Sequence, residues 1–265
     1  IFGGWLSVSM EDLEKRTTPD PTVEVSERWD YPNNVSDLLV SADGSRALVM
    51  SSGGDLDVRD ASGAVVKTVD FADLRQVLEL TSDGSLAVIQ EGVDTVVYDL
   101  NHDVERFRRE WSGAGIRLSG NGDRLVRSSG ASLVGYAWNG TVYEETWQCA
   151  LGGSSLSDFD VADNGALVMG YSRSYTFEEP EVRYHLVDGN SGELCHTYIQ
   201  HPDPTHELQF IPIAVKVNDS GTFGVSINWG GDRSMAELVV FSPATASPIF
   251  EIATPGSAQE LDVKG

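Results

Sequence analysis

Four side chains that can bind a divalent metal ion lie close together in the segment QHPDPTHELQF. They are His201, Asp203, His206 and Glu207. Imidazole nitrogens and carboxylate oxygens are ligands that Zn²⁺ and other divalent ions accept in proteins. The spacing matches no metal motif, however, and the intervening prolines hold the segment extended, so the two imidazoles can point apart. The sequence therefore favours a solvated loop here, with a metal site as the weaker alternative.

Aromatic and arginine side chains accompany these histidines in three long segments, 171–181, 200–212 and 229–235. Aromatic rings and Arg are the usual anchors of protein interfaces, and loops longer than chain closure needs often carry function. The residues that we expect to contact a partner are Tyr171, Arg173, Tyr175, Phe177, His201, His206, Trp229 and Arg233. The alternative is that the rings only pack these segments onto the rim of the fold.

Catalysis has little support in the sequence. No GxSxG elbow, HExxH helix, phosphate-binding loop or dinucleotide fingerprint is present. A Ser-His-Asp triad or a pair of catalytic carboxylates is defined by geometry, and among 41 acidic residues some pairs come close by chance. We therefore lean towards a protein that is not an enzyme, and we predict no cofactor.

The two cysteines, Cys149 and Cys195, are too few to form a four-ligand zinc site and do not make a CxxC pair. They either form a disulfide, which would indicate an oxidising compartment, or remain free thiols. The sequence leaves both alternatives open and favours free thiols.

Charge narrows the classes of partner. The formal net charge is −23, which disfavours binding to nucleic acid or to an anionic membrane surface. No apolar run is long enough for a transmembrane helix, so we predict no membrane insertion. The chain starts at Ile1 without a charged n-region, and we expect that a targeting segment or another domain once preceded it. We expect an extracytoplasmic monomer, with a cytoplasmic location as the alternative.

A repeat organises the elements that must position these residues. Turns of the type SADG, TSDG, SGNG, ADNG and NDSG recur, and they end at Gly44, Gly84, Gly122, Gly165 and Gly221. An apolar strand precedes each turn and another follows it. Asp-Gly and Asn-Gly turns supply the positive φ angles of a tight hairpin, so each repeat is predicted to open with a β-hairpin.

The second half of each repeat is an alternating strand, a turn and a last strand. Four short strands in about forty residues, without helical periodicity, are typical of a β-propeller blade. The complete blades are predicted at 35–71, 75–111, 114–149, 156–200 and 211–253. Segments 1–31 and 256–265 are predicted to share a closing blade that lacks one strand. The prediction is a single all-β propeller domain of six four-stranded antiparallel blades, with seven as the alternative.

Aromatic residues recur in the third and fourth strands of the second and third repeats. They are Tyr98, Phe107, Trp111, Tyr136, Trp138, Tyr143 and Trp147. Large rings fill the space that widens between blades towards the rim, so we expect these side chains to pack between blades. Stacking against a carbohydrate is the alternative.

The stretch SADGSRALVMSSGGDLDVRDASGAVVKTV resembles the WD40-like and YVTN-type propeller repeats of bacteria, with their Ser-x-Asp-Gly turn and Asp-containing third strand. Regular Gly-His and Trp-Asp dipeptides are missing, and the one Trp-Asp pair is Trp29-Asp30. The resemblance implies a propeller, and most such proteins are interaction platforms. We therefore expect a scaffold that binds a protein or peptide, with a hydrolase or lyase acting on a carbohydrate or ester as the alternative.

Overall fold

Every regular element in the described part of the chain is a β-strand. The computed structural model describes residues 34–111, 115–153, 155–174, 181–200, 211–229, 235–255, 261 and 263. Twenty strands in these ranges form five four-stranded sheets, and in each sheet the strands follow one another in chain order and pair antiparallel.

The strands of the first sheet are β1 (Val35–Val40), β2 (Arg46–Ser51), β3 (Leu56–Asp60) and β4 (Val65–Val69). Those of the second are β5 (Leu74–Leu80), β6 (Leu86–Glu91), β7 (Asp94–Asp99) and β8 (Val104–Glu110). The third contains β9 (Ile116–Leu118), β10 (Arg124–Ser129), β11 (Ser132–Trp138) and β12 (Tyr143–Ala150). The fourth contains β13 (Leu156–Val161), β14 (Leu167–Ser174), β15 (Glu181–Asp188) and β16 (Leu194–Gln200). The fifth contains β17 (Ile211–Val217), β18 (Gly224–Trp229), β19 (Met235–Phe241) and β20 (Phe250–Pro255).

This architecture is that of β-propeller blades, and it corrects the predicted number of blades. The described residues form five sheets, not six or seven. The sixth blade was predicted from 1–31 and 256–265, which together offer three strand-like stretches for a four-stranded blade. Those segments lie outside the described residues except for Leu261 and Val263, which are half-buried and belong to no strand.

Contacts divide the chain into two compact units. One contains the described chain up to Leu125 together with Trp138–Glu144, and thus holds the first two sheets. The other contains Val126–Ala137 and the chain from Glu145 onward, and thus holds the last two sheets. The third sheet contributes residues to both units.

The apolar core lies between neighbouring sheets. In β2, the five residues from Ala47 to Ser51 are all buried, because a middle strand is covered on both of its faces. One cluster joins the first sheet to the second through Leu48 and Val58 against Ile89 and Val96. Outer strands are more exposed, as in β4 and β8, where only one face has a neighbour to pack on.

The first turn of each repeat has the conformation that its sequence predicts. Gly44 has a φ of +67°, and its amide donates to the carbonyl of Ser41 at 2.8 Å. The Ser41 hydroxyl donates to the Asp43 carboxylate at 2.7 Å, which in turn accepts the amide of Ser45 at 2.8 Å. A second layer of bonds links neighbouring sheets, since the Asp43 amide donates to the Ser82 carbonyl at 3.1 Å. Polar turn residues therefore both close the hairpins and tie one sheet to the next.

An acidic or amide side chain belongs to the last residue of the third strand, or to the residue that directly follows it, in four of the sheets. Asp60, Asp99, Asn139 and Asp188 each accept backbone amides of the following turn on Oδ1. Such a side chain replaces hydrogen bonds that the turning backbone cannot make for itself. The Asp-containing third strand noted in the sequence is thus explained by turn closure.

Trp147 fills a space that two glycines leave open. A Cβ on Gly135 would lie 2.0 Å from Cε2 of the indole, and one on Gly192 would lie 2.7 Å from the Trp147 Cβ. The indole Nε1 donates to the carbonyl of Gly189 at 2.9 Å, which joins the third sheet to the fourth within one unit. Trp147 is buried, as the expectation of inter-blade packing requires, and so are Phe107, Tyr136 and Tyr143.

Candidate functional site

Three segments of the chain leave the fourth and fifth sheets from one end. They connect β14 to β15 (175–180), β16 to β17 (201–210) and β18 to β19 (230–234). The corresponding second-to-third-strand connections of the first three sheets are shorter, at 52–55, 92–93 and 130–131. Antiparallel order places the end of β14, the start of β15 and the end of β16 side by side, and the same holds for β18 and β19. This end of the two sheets is the candidate site.

Only some of the predicted contact residues fall within the described structure. Tyr171 and Arg173 lie in β14, and Trp229 is the last residue of β18, where its backbone pairs with Ile211. The others lie outside the described residues, namely Tyr175, Phe177, His201, His206 and Arg233, as do the remaining candidate metal ligands, Asp203 and Glu207. Within the described ranges, no group of three or more His, Cys, Asp or Glu side chains is placed to hold a metal ion.

Tyr171 anchors the fourth sheet to the fifth. Its side chain is 4% exposed, and its hydroxyl donates to the carbonyl of Pro212 in β17 at 3.0 Å. Pro212 lies directly after the segment 201–210 and pairs with Asn228 across the sheet. A residue that the sequence singles out for contact thus holds the base of two of the three segments together.

Four polar side chains of β15, β16, β18 and β19, two fully buried and two half-buried, form a hydrogen-bonded network, which we call the strand-end network. Its members are Tyr184, Gln200, Asn228 and Glu237. The Tyr184 hydroxyl, fully buried, donates to Oδ1 of Asn228 at 2.9 Å and lies 3.3 Å from Oε1 of Gln200. Glu237 then accepts the side-chain amides of Gln200 at 3.1 Å and of Asn228 at 3.3 Å.

The network ties the strand ends from which the segments emerge. Gln200 is the last residue of β16, Asn228 is the next to last of β18, and Glu237 lies at the start of β19. Burial raises the pKa of Tyr184 above its ordinary value, so its hydroxyl stays protonated and remains a donor. The Glu237 carboxylate accepts hydrogen bonds from two side-chain amides, and the Tyr184 phenol donates one to an amide oxygen. Each side chain of the network therefore acts as a donor or an acceptor towards a defined partner.

A second polar chain crosses the fourth sheet. Nε2 of His185 lies 3.2 Å from the Ser172 hydroxyl, and Nδ1 lies 3.1 Å from the Thr197 hydroxyl. Burial is the main cause that lowers the pKa of His185, to about 4, and the nearby Arg183 adds to the effect. The imidazole is therefore neutral near pH 7. Ser172 is 2% exposed and His185 is fully buried, so this serine-histidine pair is closed to substrate.

Both cysteines are free thiols in the structure, which agrees with the alternative that the sequence favours. Cys149 is buried in the layer between the third and fourth sheets, and Cys195 is half-buried in β16. Burial raises the pKa of both thiols, which lowers their nucleophilicity at neutral pH.

Sequence reasoning missed the strand-end network entirely. Its four members come from four strands of two sheets, and no local spacing connects them. The one available signal is Asn228, a polar residue in the apolar strand GVSINW, where burial of an amide requires a partner.

Comparison with known proteins supports the fold and not an activity. No protein-family model matches the chain, and no curated protein matches its sequence. Among solved structures, the chain is similar to hydrazine synthase from Kuenenia stuttgartiensis, which contains a β-propeller, with a TM-score of 0.58. The match covers 90% of this chain and 70% of that chain at 13% identity. At this identity the likeness shows a β-propeller fold alone.

No helix in the part of the chain that the structure describes could cross a membrane.

Proposed function

We propose that this protein is a non-enzymatic scaffold that binds a protein or peptide through the segments 175–180, 201–210 and 230–234. The observation that carries the proposal is the strand-end network, which links β15, β16, β18 and β19, four of the strands that flank these segments. Binding residues are commonly placed on loops that a rigid framework positions. The aromatic and arginine residues of the three segments are the side chains suited to such contacts.

Energetic considerations support a framework role for the network. The buried phenol of Tyr184 and the buried amide of Asn228 cost free energy unless they are hydrogen-bonded, and both have partners, as do the half-buried side chains of Gln200 and Glu237. Satisfied buried networks favour one arrangement of the chain over others, since any shift breaks several bonds together. The two sheets thus present their long connections from a defined base.

A hydrolase or lyase is the other class that the sequence allows. Among the described residues, the arrangement closest to a nucleophile and base is Ser172 with His185. Both are buried, and the second imidazole nitrogen contacts the Thr197 hydroxyl instead of a carboxylate. These features favour the binding scaffold over the enzyme. The net charge of −23 further favours a neutral or basic partner over nucleic acid.

Quantitative capture with matched variants tests the proposal. Immobilised wild-type protein is compared with the double variant Tyr175→Ala, Trp229→Ala in an extract of the source organism, with mass spectrometry as the readout. The control is Val93→Ala, which truncates an exposed apolar side chain in the short second-to-third-strand connection of the second sheet. We expect at least one protein to be retained by wild type and control and lost by the double variant at unchanged thermal midpoint. Equal retention by all three would exclude these segments as the binding site.

A further inference from the structure

Three tripeptides of the chain have the form Asn-x-Ser/Thr with x other than Pro. They start at Asn34, Asn139 and Asn218. This sequence is the acceptor for N-linked glycosylation, in which an oligosaccharide is attached to the side-chain nitrogen of the asparagine. The tripeptide alone does not distinguish an accessible amide from a buried one, but the structure does.

Asn218 cannot carry a glycan in the folded protein. It is 1% exposed in the first turn of the fifth sheet. Its Nδ2 donates to the Ser220 hydroxyl at 2.6 Å and to the Thr222 hydroxyl at 3.0 Å, while Oδ1 accepts the amides of Thr222 and Phe223. Attachment of a sugar to Nδ2 would break this turn and place a bulky polar group in a closed space.

Asn34 is exposed, but the hydroxyl of its tripeptide is already engaged. Ser36 lies in β1, and its hydroxyl donates to the carbonyls of Met50 at 3.2 Å and Ser51 at 3.1 Å. The backbone carbonyl of Asn34 accepts the amide of Ser52 at 2.9 Å. This tripeptide is therefore extended along a sheet instead of standing out from it.

Asn139 has the opposite environment. It lies at the tip of the hairpin between β11 and β12, and both Asn139 and Thr141 are exposed. Of its two polar side-chain atoms, only Oδ1 takes part in the turn, where it accepts the amides of Thr141 and Val142, each at 2.9 Å. The backbone amide of Asn139 also donates to the Val142 carbonyl at 3.2 Å. In the described part of the chain, Nδ2 of Asn139 has no hydrogen-bond partner.

Space around this tripeptide is open. Gly140 has a φ of +94°, and a Cβ built on it would meet no atom within 4 Å. The turn therefore projects away from its surroundings, and the hydrogen bonds that hold it depend on an oxygen that glycosylation leaves in place.

We propose that Asn139 is a site of N-linked glycosylation. The donor is a lipid-linked oligosaccharide, in which the anomeric carbon of the first sugar is bonded to a phosphate oxygen. Nδ2 of Asn139 forms a bond to that carbon, the bond from carbon to phosphate oxygen breaks, and the phosphate leaves with the electron pair. One proton of the amide is lost, and no group is oxidised or reduced. Such donors act outside the cytoplasm, so the proposal includes the extracytoplasmic location expected from the sequence.

Peptide mass spectrometry of protein purified from its source organism tests this site. Cleavage after Lys, Arg and Glu places the three asparagines in separate fragments, of which 128–144 contains Asn139 and 217–233 contains Asn218. We expect fragment 128–144 to carry the added mass of a sugar chain and fragment 217–233 to have its unmodified mass. An unmodified 128–144 in the native protein overturns the proposal. A sugar chain on 217–233 contradicts the burial argument that selects Asn139.

Two variants expressed in the same organism separate the roles of the tripeptide. Asn139→Asp keeps the oxygen that accepts the two turn amides and removes the acceptor nitrogen. Thr141→Ala keeps Asn139 and removes the hydroxyl. Both should lose the sugar mass, and both should match the thermal midpoint of enzymatically deglycosylated wild type. The control Asn34→Asp should leave the sugar mass of the wild type unchanged. Glycosylation that survives Thr141→Ala shows that the tripeptide is not what the transferase recognises.

Discussion

Neighbouring sheets are joined by different chemistry in the two units. In the unit with the first two sheets, Asp103 accepts from Lys67 and Tyr98 at the outer rim, and the side chain of Asp103 is 60% exposed. In the other unit, a polar contact between the fourth and fifth sheets is made by Tyr184 and Asn228, both fully buried. Exposed ion pairs contribute little to stability, whereas a buried polar group is costly to leave without its partner.

The difference in burial between the two contacts corresponds to the length of the connections beside them. The contacts at the outer rim involve short turns that are closed by their own local hydrogen bonds. Such turns need little stabilisation from the neighbouring sheet. The strand-end network instead holds the strands that flank three long segments. We infer that buried hydrogen bonds are found where the strands must hold long connecting segments in a fixed position.

The largest expected effect comes from removing the shared amide of the network. Asn228→Ala leaves Glu237 with one donor fewer and deprives the Tyr184 hydroxyl of its shorter acceptor contact. We expect the free energy of unfolding to fall by about 3 kcal/mol, the upper end of the range for a buried polar group left without its partner. Urea unfolding followed by linear extrapolation measures the change.

Asn101→Ala is the matched control in the rim of the first two sheets. The Asn101 side chain is exposed and accepts a hydrogen bond from Arg46 at 2.6 Å. The same substitution should cost below about 1 kcal/mol there, because water replaces the lost contact. Equal costs at positions 101 and 228 would refute the distinction between the two kinds of contact.

Lowering the pH should reduce the stability of the two units in different pH ranges. The pKa of His185 is lowered to about 4 in the folded state, whereas an unfolded histidine has its ordinary value of about 6.5. Between these values the unfolded chain binds the additional proton, so the free energy of unfolding falls as pH decreases from about 6.5 to 4. The loss amounts to about 3 kcal/mol. Urea unfolding at a series of pH values should show this slope, and His185→Asn should flatten it. An unchanged slope in the variant would assign the acid sensitivity to other groups.

The unit with the first two sheets has its acid-sensitive contact in a lower pH range. Burial alone would raise the pKa of Asp99, but hydrogen bonds from His102 and Arg106 outweigh it and lower the pKa to about 2. A carboxylate with a lowered pKa stabilises the fold above its unfolded value, and this contribution is lost as pH falls from about 4 to 2. Arg106 donates to Asp99 through Nε at 2.9 Å and through Nη2 at 2.5 Å. The two units should therefore lose stability in successive pH ranges.

Local signals explain why the fold was predictable and the site was not. The turn at Gly44 and the third-strand end at Asp60 are determined by residues within five positions of each other, so the repeat is visible in the sequence. Trp147 was expected to pack between blades on its size alone, but its fit depends on Gly135 and Gly192, which come from elsewhere in the chain. The strand-end network brings together residues up to 53 positions apart, from Tyr184 to Glu237. Such contacts depend on the register between strands, which composition and spacing do not encode.

The smallest expected effect is at the rim. Lys67→Met keeps most of the aliphatic stem over the Tyr98 ring, where Nζ lies 5.6 Å from the centroid, and removes only the charge that meets Asp103. The cost should be several times smaller than that of Asn228→Ala. It should also shrink further between about 0.1 M and 1 M salt, because salt screens exposed charges.

Asp103→Asn is the complementary variant to Lys67→Met. Asp103 has a φ of +63°, a conformation that Asn also tolerates, so the backbone should remain as it is while the charge is lost. Urea midpoints of the two variants at both salt concentrations should agree, because each removes the same ion pair. A cost at position 103 that persists at high salt would show that Asp103 holds the turn through its hydrogen bond from Tyr98. In that case the rim would share the hydrogen-bonded character of the strand-end network, and the contrast between the two units would lie in burial alone.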